Sequence, residues 1–240
     1  MQTTARSRRG GAGPARGRRD VELRVVRPGR VQATATALAL NVAIAGFFAL
    51  LAAAHLTHGR TTGDWLRVVP VLVQESLLVG LFLVRRPATL TSRRPQDRLA
   101  ALAGVGLPLG LRPAALPGAF AAVGDALQAA GVAAAVVCLA SLGRRVGIVA
   151  ANRGVATRGP YRLVRHPAYA AYLVCYAGYL VAHPTALNAV LVAAWLAATH
   201  ARILAEERLL ARDPRYARYC ERVRGRWVPA GLVGRRPARR

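Results

Sequence analysis

Residues 168–201 read AYAAYLVCYAGYLVA, HP and TALNAVLVAAWLAATHA in succession. Ala168–Ala182 and Thr185–Ala201 are apolar segments separated only by His183 and Pro184, which predicts a tight helical hairpin. Similar segments recur along the 240-residue chain, of which 54% is hydrophobic. About 20 apolar residues suffice to cross the hydrocarbon core of a bilayer. The chain is therefore interpreted as an all-α, polytopic integral membrane helical bundle.

Six segments are predicted to span the membrane: Thr34–Ala54, Trp65–Val84, Leu99–Leu111, Ala119–Leu142, Ala168–Ala182 and Thr185–Ala201. The third segment is short, and it can cross the membrane only if residues from Arg112–Gly118 extend it. Gly104 and Gly106 lie inside this segment with no strand before them, so they favour close helix packing rather than a nucleotide-binding fingerprint.

The arginines predict the orientation of these segments. All 35 basic residues are arginine, and the formal net charge is +25. If six segments alternate from a cytoplasmic N-terminus, the regions 1–30, 85–98, 143–167 and 202–240 are cytoplasmic and hold 32 of the 35 arginines. The positive-inside rule favours this arrangement in an inner cell membrane, with both termini cytoplasmic. A soluble helical protein, the alternative, offers no reason for arginine to avoid alternate loops.

Four regions follow from this map. Residues 1–30 form an Arg-rich tail that is predicted to be disordered, because it has little apolar surface to bury. Residues 31–142 hold four transmembrane helices, 143–229 hold the hairpin and most of the reactive side chains, and 230–240 form a basic tail. No aromatic residues interleave with the arginines of the N-terminal tail, so contact with anionic lipid is favoured over nucleic-acid binding.

Reactive side chains concentrate on the predicted cytoplasmic side. Arg144–Pro167 reads RRVGIVAANRGVATRGPYRLVRHP, whose glycines and prolines interrupt helices and permit close approach of backbone to a ligand. Arg202 and Glu206 are four residues apart, on one helical face. Because a hairpin brings its ends together, they are expected near Arg165–Pro167. Each group alone could be a surface ion pair or a headgroup anchor, but together they favour a site.

Two pairs of polar residues in or beside the first two spans give weaker evidence for a functional site. Gln74 and Glu75 interrupt the second span, and an acid inside a membrane usually faces protein or water. The partner of Glu75 is predicted to be Arg67, about two turns away, or a residue on another span. His55 and His58 are interpreted as ordinary interfacial histidines, and no metal site is predicted.

A short amphipathic helix is predicted to begin at Asp213, which can cap it ahead of Pro214. Tyr216, Tyr219 and Val223 recur at helical spacing. This helix either closes over the site or anchors the chain at the membrane surface.

The pattern GPYRLVRHPAY at Gly159–Tyr169, followed by Arg202, Glu206–Glu207 and Tyr216–Tyr219, resembles the isoprenylcysteine carboxyl methyltransferase family. Phospholipid methyltransferases share much of it. The resemblance covers Leu142–Pro229 and marks 143–229 as a methyltransferase core. It implies an integral membrane enzyme that uses S-adenosylmethionine without a Rossmann domain and methylates a lipophilic acceptor taken from the bilayer.

The resemblance also implies roles for residues. The cofactor-binding set is Arg153, Gly154, Val155, Ala156, Tyr161, Arg165, His166, Pro167, Ala168 and Glu206. Arg202 faces the methyl acceptor. Two departures stand out: Arg153–Gly154 replaces a polar His-Thr pair of the eukaryotic members, and Ala171 stands where relatives often carry glycine.

The catalytic assignment depends on the acceptor. A carboxylate is ionised at neutral pH and needs only alignment, for which a planar arginine such as Arg202 is suited. A lipid amine must lose a proton, and His166 is then the candidate base. An N-methyltransferase of the phospholipid type therefore stays open, as does a non-enzymatic membrane transporter or scaffold.

Overall fold

The computed structural model describes residues 35–114 and 119–229. The predicted tails at 1–30 and 230–240 lie outside these residues. Seven α-helices occur in the described part of the chain: α1 Ala35–Thr62, α2 Trp65–Val84, α3 Pro95–Gly106, α4 Ala119–Leu142, α5 Pro167–Ala182, α6 Ala186–Leu210 and α7 Pro214–Arg222. Two short antiparallel strands, β1 Leu90–Thr91 and β2 Ala151–Asn152, pair Leu90 with Asn152 and Thr91 with Ala151.

The predicted all-α membrane fold is confirmed. Helices α1, α2 and α6, and the helical stretch Phe120–Arg145 that overlaps α4, are long and apolar enough to cross a membrane. Helices α2 and α4 have the predicted bounds, whereas α1 and α6 continue to Thr62 and Leu210. Helix α5 is a shorter apolar helix, so the count of six spans stays a prediction.

Polar contacts join the helices at two opposite ends of the bundle. At one end Arg67 pairs with Asp64 at 2.8 Å and also with Asp125, which links the N-terminal parts of α2 and α4. At the other end the Arg86 amide donates to the Arg144 carbonyl at 2.6 Å. Helices α2 and α4 therefore run in the same direction, as the predicted alternation requires.

The short third segment follows α6 over most of its length. Arg208 donates to Asp97 of α3 at 2.9 Å, and the Arg112 amide donates to Asn188 of α6 at 3.0 Å. Asn188 and Arg208 are separated by about 30 Å of helix, which is close to the thickness of the hydrocarbon core. A 3-10 turn at Leu107–Gly110 and extended residues beyond it supply the length that α3 alone lacks.

Glycines bring α4 and α5 into backbone contact. A Cβ atom on Gly131 would lie 2.5 Å from the Cys175 amide nitrogen, and one on Gly178 would lie 2.6 Å from the Gly124 carbonyl oxygen. Only glycine permits this approach, as in other helix pairs inside membranes. The contact fixes the position of α5, whose first residue, Pro167, is the last residue of Arg165-His166-Pro167, here called the RHP segment.

We predict that Gly131→Ala lowers the free energy of unfolding by about 1–3 kcal/mol, because the added methyl group has no room beside Cys175. The matched control is Gly46→Ala, since a Cβ atom on Gly46 would meet nothing within 4 Å. The control is expected to be neutral or more stable by about 0.4–1 kcal/mol. Thermal unfolding in detergent checks both, and equal stability of the two variants would contradict the packing described here.

Candidate functional site

The described residues surround a cavity of ≈ 320 Å³ that runs between the loop 145–156, the helical hairpin and helices α1 to α3. Nine of the ten predicted cofactor-binding residues line it, as does Arg202. The exception is Pro167, which is buried as the first residue of α5. The structure therefore brings the residues selected from the sequence to one place, while their roles stay predictions.

One stripe of α6 faces the cavity. Trp195, Thr199, Arg202 and Glu206 all line it, and their spacing of four, three and four residues places them on one side of a helix. Helix α5 presents Tyr169, Tyr172 and Tyr176 to the same space at a similar spacing. Tyr169 belongs to the motif recognised in the sequence, whereas Tyr172, Tyr176, Trp195 and Thr199 were missed, although this helical spacing is a signal that could have found them.

The hairpin prediction is confirmed at the end where α5 begins. The Tyr169 hydroxyl donates to Glu206 at 2.8 Å, and Nδ1 of His166 lies 3.8 Å from the Glu206 carboxylate. The Arg202 guanidinium carbon lies 5.3 Å from the centre of the Tyr169 ring, within range of a cation–π interaction. Arg202, Glu206 and the RHP segment thus converge, as predicted.

Arg202 is held in place by the protein interior. It is 8% exposed, and its Nη2 donates to the Ile148 carbonyl at 2.9 Å. A Cβ atom on Gly104 would lie 2.8 Å from its Nη1, so the glycine of α3 makes room for the guanidinium. Arg202 is therefore a buried cation, not part of a surface pair.

Glu207 organises the basic groups behind the cavity. Its carboxylate lies 3.3 Å from Nε2 of His166, 3.4 Å from Arg165 and 2.8 Å from Arg226. Sequence reasoning assigned Glu206 to the site but gave its neighbour no role. Arg165 and His166 accordingly bind this carboxylate, which excludes the interpretation that they serve as headgroup anchors.

His166 has a carboxylate on both sides of its ring. Nε2 faces Glu207, Nδ1 faces Glu206, and the residue is 6% exposed. Its backbone amide donates to the Arg226 carbonyl at 2.9 Å. The imidazole of His166 therefore lies between the carboxylates of Glu206 and Glu207.

The loop before the RHP segment exposes backbone to the cavity. Gly154 has a φ of 96°, which glycine adopts without strain, and its amide donates to the Asn152 side chain at 2.9 Å. Arg153 donates to the Arg86 carbonyl at 3.1 Å. Burial lowers the pKa of Arg153 to about 10, so it remains cationic at neutral pH. Val155 packs against the tyrosines of α7.

The amphipathic helix α7 begins as predicted, with the Asp213 carboxylate accepting from the Arg215 amide at 2.9 Å. The Tyr219 hydroxyl donates to the Tyr161 carbonyl at 2.6 Å, and burial raises the pKa of Tyr219 to about 12. After α7, the Gly225 carbonyl accepts from the Arg165 amide at 2.9 Å. The C-terminal segment thus packs onto the RHP loop, and Tyr219 lines the cavity.

Several buried polar atoms around the cavity have no hydrogen-bond partner among the described residues. They belong to side chains that line it: Gln74 Oε1, Arg145 Nε, Arg165 Nε, Thr199 Oγ1 and Arg202 Nε. A buried donor or acceptor without a partner costs about 1–3 kcal/mol. A polar ligand in the cavity would remove this cost.

The far end of the cavity lies among the predicted spans. Glu75 lines it and is contacted by His55 of α1, with Nδ1 3.2 Å from the carboxylate. The expectation that Arg67 pairs with Glu75 is wrong, because Arg67 pairs with Asp64 and Asp125. The alternative, a residue on another span, is confirmed. Calling His55 an ordinary interfacial histidine was also wrong.

Comparison with known families identifies the region that builds most of this site. Residues 119–214 match the family model described as phospholipid methyltransferase, the family to which the isoprenylcysteine carboxyl methyltransferases belong. A search of curated proteins found no match. The matched segment contains the RHP sequence, both hairpin helices and Arg202. Residues 119–214 of this chain are therefore similar to the phospholipid methyltransferase family.

Proposed function

We propose that this protein is an S-adenosylmethionine-dependent methyltransferase that forms the methyl ester of a carboxylate on a lipophilic acceptor, as the isoprenylcysteine carboxyl methyltransferase resemblance implies. The observation that carries the proposal is the continuity of one cavity. It joins a charged end, lined by Arg165, His166 and Glu206, to an apolar end lined by membrane-type helices. Such a cavity accommodates a polar methyl donor and an apolar-tailed acceptor together.

The charged end fits S-adenosylmethionine by its donor and acceptor groups. Arg145 and Arg165 each present an unpartnered Nε, which suits the carboxylate of the cofactor. Glu206 suits its ammonium or ribose hydroxyl groups, and the rings of Tyr161 and Tyr169 offer apolar faces. When bound, the cofactor supplies a methyl group on a positively charged sulfur, which is already activated for transfer.

The charges favour an anionic acceptor over an amine. Arg145, Arg153, Arg165 and Arg202 line this part of the cavity, whereas the carboxylates beside them are Glu206 in the wall and Glu207 behind it, paired with Arg165. An ammonium group would meet a surplus of positive charge there, whereas a carboxylate is stabilised. His166 has a carboxylate at each ring nitrogen and is therefore poorly placed to take a proton from an amine.

Carboxylate methylation needs no base. An acceptor oxygen forms a bond to the methyl carbon while the carbon–sulfur bond breaks, and the electron pair stays with sulfur. Catalysis then depends mainly on positioning. Arg202 is placed to align the carboxylate, since its Nε is free and its Nη2 is fixed on Ile148.

The arginine distribution supports a location at the cytoplasmic side of the inner cell membrane. The charged end lies on the face that holds the segments 85–98 and 143–167, both rich in arginine. The cofactor then enters from the cytoplasm and the acceptor from the bilayer.

We predict that Glu206→Ala and His166→Ala abolish binding of S-adenosylmethionine, because each removes a group that shapes the charged end. Isothermal calorimetry on the folded protein in detergent measures this. Glu221→Ala and His58→Ala are the matched controls, since both side chains are exposed. Retained binding in both site variants would refute the cofactor assignment.

We predict that Gly104→Ala lowers the rate of methyl transfer at least tenfold, because the added Cβ atom displaces the Arg202 guanidinium. Binding of S-adenosylmethionine is expected to stay near the wild-type value. The control is Gly106→Ala on the same helix, where a Cβ atom would meet nothing within 4 Å. Equal rates for the two variants would show that Gly104 does not position Arg202.

The acceptor itself is tested by incubating the purified protein with methyl-labelled S-adenosylmethionine and a total lipid extract. We expect label in an apolar product that mild alkali releases as methanol, because a methyl ester is hydrolysed under these conditions. Label that resists alkali would instead indicate N-methylation. No cofactor binding and no labelled product would favour a transporter or scaffold.

A further inference from the structure

The cavity has a second polar group at its far end, in the middle of α2. Glu75 is 4% exposed and lies ten residues after Trp65 and nine before Val84, so about 15 Å of helix separates it from either end. This depth corresponds to the interior of the bilayer. A carboxylate there is costly and usually serves a function.

Only one hydrogen-bond donor satisfies this carboxylate in the described residues. Nδ1 of His55 lies 3.2 Å from Glu75 and 3.0 Å from the Leu51 carbonyl. Both neighbours are acceptors, so Nδ1 carries the proton and the imidazole holds the carboxylate in place. A carboxylate accepts about four hydrogen bonds, which leaves Glu75 with spare capacity.

The neighbouring Gln74 presents a second acceptor. Its Oε1 atom is buried and has no hydrogen-bond partner among the described residues. Gln74 and Glu75 both line the cavity that Arg202 also lines. The surrounding wall is apolar, formed by Phe47, Phe48, Leu51 and Leu78. A pair that served only to join α1 to α2 would not explain an unpartnered acceptor facing the cavity.

We propose that the apolar part of the acceptor carries a hydroxyl group, distant from the carboxylate that is methylated, which donates to Glu75 and Gln74. This inference rests on the proposed function. It names the substrate class as a hydroxylated lipophilic carboxylic acid. The hydroxyl supplies the donor that these two side chains lack, whereas a plain hydrocarbon chain would leave both acceptors unsatisfied.

The test measures binding of octadecanoic acid and of monohydroxyoctadecanoic acids that differ in the position of the hydroxyl group. Full-length protein in nanodiscs is equilibrated with radiolabelled octadecanoic acid, and each hydroxylated acid competes for it. We expect one narrow range of positions to compete about tenfold better than unlabelled octadecanoic acid, as one hydrogen bond to a charged group provides. In a wholly apolar cavity, every hydroxylated acid would bind more weakly.

Substitutions of Gln74 and Glu75 test whether these side chains cause the preference for one hydroxyl position. Gln74→Leu and the isosteric Glu75→Gln are each expected to reduce the tenfold preference to threefold or less. The matched control is Ser76→Ala, an exposed neighbour on α2, which should keep the preference. Two variants are used because loss of the Glu75 charge also loosens the contact with His55.

The outcomes separate this inference from the proposed function. Binding of S-adenosylmethionine and of octadecanoic acid, with no preferred hydroxyl position, overturns the inference and leaves the methyltransferase proposal standing. A preference that persists in both variants also overturns it. If the wild-type protein binds neither S-adenosylmethionine nor any of the acids, both the inference and the proposed function are overturned.

Discussion

The site depends on one carboxylate, that of Glu207, which pairs with basic groups from two other parts of the chain. Arg165 and His166 precede α5, Arg226 follows α7, and Glu207 itself lies near the end of α6. Burying several charges is favourable only when they are paired and hydrogen-bonded, so these segments fold as a unit. The RHP loop is consequently closed between the hairpin and the C-terminal segment, and the cavity has a fixed charged end.

Arg202 connects this arrangement to α3, which lies outside the matched residues 119–214. Its guanidinium lies against Gly104 of α3 and donates to Ile148, while its ring partner is Tyr169. Helices α1 to α3 therefore complete the site and do more than anchor it in a bilayer. Gln74 and Glu75 of α2 line the same cavity. Residues 119–214 match the family model, whereas α1 to α3 lie outside it.

Sequence reasoning located the charged end of the cavity because the residues of that end occur in local sequence patterns. The RHP segment and the Arg202–Glu206 spacing placed basic and acidic groups at the two ends of a hairpin, and a tight hairpin must bring them together. The same reasoning missed Glu207, Thr199 and the Glu75–His55 pair. Each of these depends on which helix packs beside which, and no local spacing specifies that choice. Arg67 was a plausible partner for Glu75 by distance along the helix, yet it turns to Asp125 of α4.

By itself, the sequence determined that this is a helical membrane protein, where its apolar helices lie and which loops carry positive charge. These properties follow from the length and hydropathy of each segment and from the cost of charge in hydrocarbon, which act residue by residue. The tertiary structure alone decided that Gly104 makes room for Arg202, that Glu207 rather than Glu206 gathers the basic groups, and that Glu75 shares a cavity with them. The physical reason is that close packing joins side chains that are far apart in the chain, and their partners are selected by shape and charge at the contact.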